Sequence, residues 1–362
     1  MATKMVARIA VAVLGIAGVL MHAPGAAYAA EVKKVTIVLS TTDQDVSYQP
    51  YGPFAQQMGW YKDEGLDVTI QTASNSGQVI QLLLTGQAQF GMLGPDPILL
   101  AAAEKPVPLK SVYTIIRKMV FAGVVQPDSP IKSFADMKGK SIGLPSLSSQ
   151  LIPFVNSRLS EVGLSEKDVK LVDVGYGVAS MEALKNGTID MFVAWPGLFA
   201  AFENAGYKFK VLPDAPWQND YYGIGLAATN DYIAQNPDVV EKIGRGLAKS
   251  TVLLQANPDF MIEPFWKAYP TKAPLPIDDR QKAFANERNI LKATAKQMRV
   301  DELPRTFAWG SQERAVWERH LQRLKDTKLV PQSATVNVDD YFTDAFSAKY
   351  NAFDRDAIAK MK

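Results

Sequence analysis

Leu83–Pro95, LLTGQAQFGMLGP, is repeated in outline by Leu184–Pro196, LKNGTIDMFVAWP. Each stretch sets a Leu before a Gly (Gly86, Gly187), then a small or apolar residue (Ala88, Ile189). Gln89 or Asp190 follows, then an apolar run and a closing Pro. The likeness extends backward: Gly65-Leu66-Asp67-Val68 precedes the first copy, and Gly163-Leu164 with Asp168-Val169 precedes the second. Further back, each copy starts on a short apolar run, Val35–Leu39 and Ser141–Leu144. A chain that runs strand, helix, strand, helix, strand twice over predicts two similar α/β lobes. Two such lobes with a cleft between them suit a protein that closes around a small guest.

The chain has 362 residues and opens with the marks of a secretory leader. Lys4 and Arg8 precede the apolar stretch Ile9–Met21, and Ala27-Tyr28-Ala29 offers a small-x-small cleavage site. The apolar stretch is shorter than the roughly 20 residues that span a bilayer. Residues 1–29 are therefore expected to be a cleaved signal peptide, and the mature chain to be exported and soluble. Cleavage removes two positive charges and no acidic residue, so the net charge falls from +2 to 0. Such a chain has no global field to draw in nucleic acid or anionic lipid.

Cysteine is absent. This excludes disulfides, thiolate metal sites, iron–sulfur clusters and thiol nucleophiles. It also excludes a lipid tether on an N-terminal cysteine, so retention outside the cell calls for a Gram-negative periplasm. Of the two histidines, His22 leaves with the leader. His320 lies on a helical stretch beside Trp317 and Leu321 and reads as a packed or surface residue rather than a catalyst.

Alternating apolar patterns organise the chain. Lys34–Ser40, Leu66–Gln71 and Ala88–Leu93 predict strands. Tyr51–Tyr61 predicts one helix with Phe54, Met58 and Tyr61 on one face, and Ser76 is expected to cap a helix closed by Gly86. Leu109–Ile115 and Met119–Val125 predict strands leading to the second lobe. Ser141–Leu144, Val169–Val174 and Ile189–Trp195 predict its sheet. Tyr221–Ala228 predicts a strand that returns. The two crossings are expected near Ala122–Val124 and Gly223–Gly225, with glycine supplying the dihedral freedom of a hinge. The lobes are thus 30–122 plus 224–362, and 123–223. Beyond Asn236 the pattern is helical, over Asp238–Ala256, Asp279–Arg299 and Ser311–Lys325, and these helices are expected to pack on the first lobe.

Several segments resemble a known family. They are Gly59–Val68 (GWYKDEGLDV), Ser76–Gly86, the Gly94–Pro97 turn, Ser133–Gly143 (SFADMKGKSIG), and Ala183-Leu184 with Gly187-Thr188-Ile189-Asp190 and Pro196. In that order they resemble the substrate-binding proteins of bacterial ABC importers. The group is the one called NMT1/THI5-like or SsuA/TauA-like, which serves thiamine pyrimidines, sulfonates, nitrate and related molecules. The likeness runs from Val35 to about Gln235, and Trp317–Phe353 is similar to the family's closing helices. The resemblance implies a type II periplasmic-binding-protein fold, with two α/β lobes joined by a two-strand hinge. It also implies delivery of a solute to an inner-membrane ABC permease with its ATPase, by a protein that acts as a monomer. A sensor kinase in place of the permease is the alternative partner. Fungal relatives make a pyrimidine with their own histidine and a cysteine-rich segment, which this chain lacks.

In such a fold the ligand lies beyond the carboxyl ends of the strands. The first lobe then offers Ser40 and Thr41 after the first strand, followed by Tyr48 and, less favoured, Tyr51. Gly94, Pro95 and Asp96 follow the third strand. Hydroxyls there donate to ligand oxygens and tyrosines offer flat faces, although turn capping accounts equally well for the serine and threonine. The second lobe offers Ser146, Ser148 and Ser149 at a strand-to-helix junction, where free N–H groups suit an anion or carbonyl and one serine is simply the cap. Trp195 stands where Gly94 stands in the other copy. Of Tyr221 and Tyr222, which face opposite ways, Tyr222 is the candidate. Arg117 suits a carboxylate or sulfonate, against a solvated surface role beside Lys118.

No pattern calls for a metal or cofactor. Asp43 and Asp45 lack the rest of a calcium loop, and Gly175-Tyr176-Gly177 lacks the later glycine of a dinucleotide fingerprint. The expected guest is a compact planar molecule: an aromatic carboxylate, a pyrimidine derivative or a small sulfonate.

Overall fold

The computed structural model describes residues 32–42, 44–147 and 151–362. The leader, Asp43, Ser148 and Ser149 lie outside them. Ten strands form two five-stranded sheets. In chain order they are β1 (Lys33–Leu39), β2 (Leu66–Thr72), β3 (Phe90–Leu93), β4 (Leu109–Thr114), β5 (Ala122–Val125), β6 (Ser141–Leu144), β7 (Lys170–Asp173), β8 (Met191–Ala194), β9 (Lys210–Val211) and β10 (Gly225–Thr229).

The first sheet is ordered β2-β1-β3-β10-β4 and the second β7-β6-β8-β5-β9. Within each, three strands run parallel and the fourth position runs antiparallel to its neighbours. Strand β6 repeats β1, β7 repeats β2 and β8 repeats β3. The antiparallel strand is in each case the first one laid down after the chain has crossed from the other sheet: β5 on the way out, β10 on the way back. The repeat seen in the sequence is therefore a repeat of topology. Parallel neighbours need helical crossovers, and Ser76–Leu84 and Val178–Lys185 occupy equivalent places before β3 and β8.

Local chemistry departs from expectation in three places. Tyr51–Tyr61 is not one helix but three short turns, Val46–Tyr51, Pro53–Gln57 and Trp60–Asp63. Gly52 at φ 128° and Gly59 at φ 75° sit at the breaks, in conformations that a continuing helix excludes. Asn75 rather than Ser76 caps the next helix, its side chain accepting from Gln78 N at 3.0 Å.

The third departure is the hinge. The crossings pair through residues 115–119 and 218–224. Ile115 N and Ile116 N both donate to Ile224 O, Gly223 N donates to Ile116 O, and Met119 N donates to Gln218 O. Gln218, 1 % exposed, pins the crossing by donating to Met119 O and Phe121 O while accepting from Arg158. Gly123 and Gly225 belong to β5 and β10 on either side of it. Their role is close approach rather than dihedral freedom. A Cβ at Gly225 would come within 2.5 Å of Tyr113 O, and one at Gly123 within 2.7 Å of Met191 Sδ.

The helix Pro237–Ala256 buries Val240, Ile243, Leu247 and Leu254 in the core of the first sheet. Two later helices reach further than the first lobe. Arg280–Gln297 meets Pro196–Asn204 of the second lobe, where Asn204 Nδ2 donates to Asn286 O at 2.9 Å. On Arg314–Asp326, Arg323 bonds Glu161 at 3.2 Å and lies 3.9 Å over the Trp217 ring. Each thus bonds to residues of the second lobe as well as packing on the first, and in that sense they bracket the two lobes.

Candidate functional site

A cleft lies between the sheets with the hinge as its floor. Ser40 follows β1, and Ser74, Asn75 and Ser76 follow β2. Ser47, Tyr48 and Tyr51 come from the turn Val46–Tyr51, which Asp45 caps by accepting from Ser47 N at 2.7 Å. The second lobe contributes Leu151, Tyr176 after β7, and Trp195 after β8. Ile116, Val120, Phe121, Gly223 and Ile224 rise from the crossings, Met92 from β3, and Gln297 ends the bracketing helix.

Two aromatic pairs face the space. Tyr48 and Tyr51 meet edge-on, 5.7 Å between centroids at 84°, and Tyr176 and Trp195 tilt at 55°, 6.1 Å apart. Burial pushes the phenols of Tyr51 and Tyr176 above the usual tyrosine range, Tyr48 and Asp173 respectively adding to the effect. Both stay neutral and are available as hydrogen-bonding hydroxyls. No charged side chain is among the described lining residues. The cavity volume is about 60 Å³, room for about four to six waters at roughly 10–15 Å³ each. A ring-sized guest therefore needs more room than this enclosed space offers.

Ser40, Tyr48 and Trp195 thus come together as anticipated, and Tyr51 joins them. Seven other candidates lie outside the lining. Thr41 is buried, and Gly94 and Pro95 are buried at the start of the helix Pro95–Glu104. Asp96 turns inward: it accepts from Tyr221 OH at 2.9 Å and lies 2.6 Å from His320 Nδ1. Arg117 is neither solvated nor in the cleft. Its guanidinium donates to Ser311 O at 2.7 Å and lies 4.7 Å over the Phe307 ring. Tyr222 OH meets Arg117 and Glu313 N. Neither Tyr221 nor Tyr222 is among the lining residues. Ser146 is half-buried and outside the lining.

The residues overlooked had a signal. The repeat maps the loop after β2 onto the loop after β7, so Ser74–Ser76 and Tyr176 occupy equivalent strand ends. Gln297 had no such signal, because the helix that carries it lies outside the repeat.

The crevice between helices Pro196–Asn204 and Arg280–Gln297 adjoins the cleft and shares Val120 and Gln297 with it. It is lined by Lys118, Lys292 and Lys296 with Glu203 and Asp214. Among the described residues no three His, Cys, Asp or Glu converge as metal ligands, and no helix is long and apolar enough to cross a membrane.

Comparisons with known proteins agree with this architecture. The family model described as NMT1/THI5 like matches residues 53–260. The riboflavin-binding protein RibY of Chloroflexus aurantiacus is 24% identical over 323 residues, covering 87% of this chain and 86% of that protein. The solved alkanesulfonate-binding protein SsuA of Xanthomonas axonopodis pv. citri, bound to MOPS, superposes at TM-score 0.65. It is 17% identical and covers 87% of this chain and 100% of its own. The desulfurization enzyme DSZB shares the fold at TM-score 0.52 and 15% identity, covering 87% of this chain and 98% of its own.

Proposed function

The chain belongs to the NMT1/THI5-like family, and on that premise we propose that it is a periplasmic solute-binding protein serving an ABC importer. Residues 1–29 direct export and are removed. The lobes 30–122 plus 224–362, and 123–223, then close as a monomer on a small planar molecule and present it to the permease. The observation that carries this reading is the cleft: two aromatic pairs and a set of hydroxyl and amide groups, with no charged side chain among the described lining residues, at the seam of two repeated sheets. The ligand contacts are assigned to Ser40, Tyr48, Tyr51, Tyr176 and Trp195.

An enzyme on this fold is the other class, since fold does not fix function. The observation against it is chemical. The described lining holds no histidine, carboxylate or lysine to move a proton, and the chain has no cysteine.

Thermal shift of the mature chain against riboflavin, an aminopyrimidine, benzoate and taurine tests the proposal. A ligand at one hundred times its Kd adds about 2.7 kcal/mol of stability, and Trp195→Ala should abolish the shift while leaving the unliganded chain folded. If no class shifts the melting temperature, or the shift survives Trp195→Ala undiminished, the reading fails.

A further inference from the structure

We propose that Gln297 selects the guest, donating its side-chain N–H to a ring carbonyl of a neutral planar heterocycle. The inference rests on the cleft being the ligand site. Gln297 is 3 % exposed, and its Nε2 has no hydrogen-bond partner. Leaving a buried amide donor unpaired costs about 1–3 kcal/mol, and nearly all such groups in folded proteins are paired. Other buried side-chain atoms among the described residues also lack partners, but Gln297 is the one among them that lines the cleft. Its missing partner is one that arrives from outside.

The amide is also held in place. Gln297 ends a helix whose flanks are anchored by buried Leu291, Ala295 and Met298. It lines both the cleft and the lysine-bordered crevice, and so stands where the two adjoin. The faces are supplied by Tyr48 with Tyr51 and by Tyr176 with Trp195. Binding a desolvated anion generally calls on a cation, most often a bidentate arginine, and the described lining has none. Arg117, the nearest candidate by sequence, is committed to Ser311, Tyr222 and Phe307. A buried, unpartnered neutral donor beside aromatic walls matches an uncharged carbonyl acceptor.

The test uses the full mature chain and two variants, Gln297→Leu and Gln297→Glu, titrated with riboflavin and uracil as neutral ring carbonyls and with benzoate and taurine as anions. The wild type should bind at least one neutral probe in preference to both anions. Both variants should weaken that binding about tenfold to a hundredfold, the loss that follows from removing one buried hydrogen bond. The unliganded Gln297→Leu protein should melt at or above the wild-type temperature, because an unpaired donor has been exchanged for an apolar side chain. A purely structural glutamine would lower the melting temperature instead, and that result overturns the proposal. Unchanged affinity in Gln297→Leu overturns it as well. Preference for benzoate or taurine overturns the assignment of Gln297 but leaves the solute-receptor reading standing. Failure of every probe to bind the wild type brings down both.

Discussion

His320 should make this protein lose stability as the pH falls below about 6.5, the ordinary imidazole value, and replacing it should remove that loss. The side chain is 0 % exposed, with Nδ1 2.6 Å from Asp96 and Nε2 unpartnered. Tyr221 lies against it, tilted by 34° with 3.4 Å between centroids, and the neighbouring charges are Asp96, Arg319 and Arg323. Burial pushes the imidazole below its ordinary value, and Asp96 only partly opposes this. The bare Nε2 supports the same direction. As a lone pair it is tolerated among apolar neighbours, whereas as N⁺–H it would be an unpaired buried cation donor. The folded state therefore holds neutral His320 with its proton on Nδ1, donating to Asp96. Below about pH 6.5 the unfolded chain takes up a proton that the folded chain refuses, so stability falls as pH falls. One proton sets the limiting slope at about 1.4 kcal/mol per pH unit. Urea unfolding between about pH 7.5 and pH 5 measures it, in the wild type and in His320→Leu and His320→Gln. Of the two, His320→Leu will lose stability at every pH because it deprives Asp96 of a donor, about 1–3 kcal/mol. The pH slopes of both variants should be shallower than that of the wild type by up to one proton. Equal slopes in wild type and both variants, over the range where the wild type loses stability, would refute the argument.

Two further outcomes follow from the packing and charge. Burial pushes the Glu287 carboxyl up to about 7, partly offset by the hydrogen bond from Trp266 Nε1. Here the folded state binds the proton more tightly, so the contribution declines as pH rises from about 4.3 toward 7. Glu287→Gln should therefore melt higher than wild type near pH 8, with the gap closing toward pH 4, the opposite trend to His320; a constant gap across that range counts against it. Gly244→Ala should destabilise by about 1–3 kcal/mol, although alanine ordinarily strengthens a helix interior. The new Cβ would lie 2.1 Å from Tyr350 Cδ1, and Tyr350 is held by its bond to Val112 O. Chemical denaturation reads the sign, and a stabilised variant would mean that the ring yields freely.

Much of the frame is legible in the chain. The paired stretches ending at Pro95 and Pro196 foretold matching strand-helix units, because a strand's register and a helix's closing glycine are local properties. Ser40 and Trp195, directly after their strands, and Tyr48 in the turn that follows the first strand all line the cleft. Asp96, Arg117 and Tyr222 do not, although they too follow a strand or neighbour the crossing. Their partners, His320, Ser311 and Glu313, come from C-terminal segments distant in sequence, and a polar side chain near the seam turns toward whichever partner the fold brings up. The hinge shows the same limit: Gln218 holds it, and nothing in its local sequence marks it.

By itself, then, the sequence determined a duplicated α/β plan and where its strand ends fall, since periodicity and turn chemistry act between near neighbours. Only the tertiary structure decided which side chains line the cleft, that two C-terminal helices bracket both lobes, and that Gln297 brings an unpaired donor to the seam. Those outcomes depend on burial and on hydrogen bonding between residues far apart in the chain, and folding alone sets which of them meet.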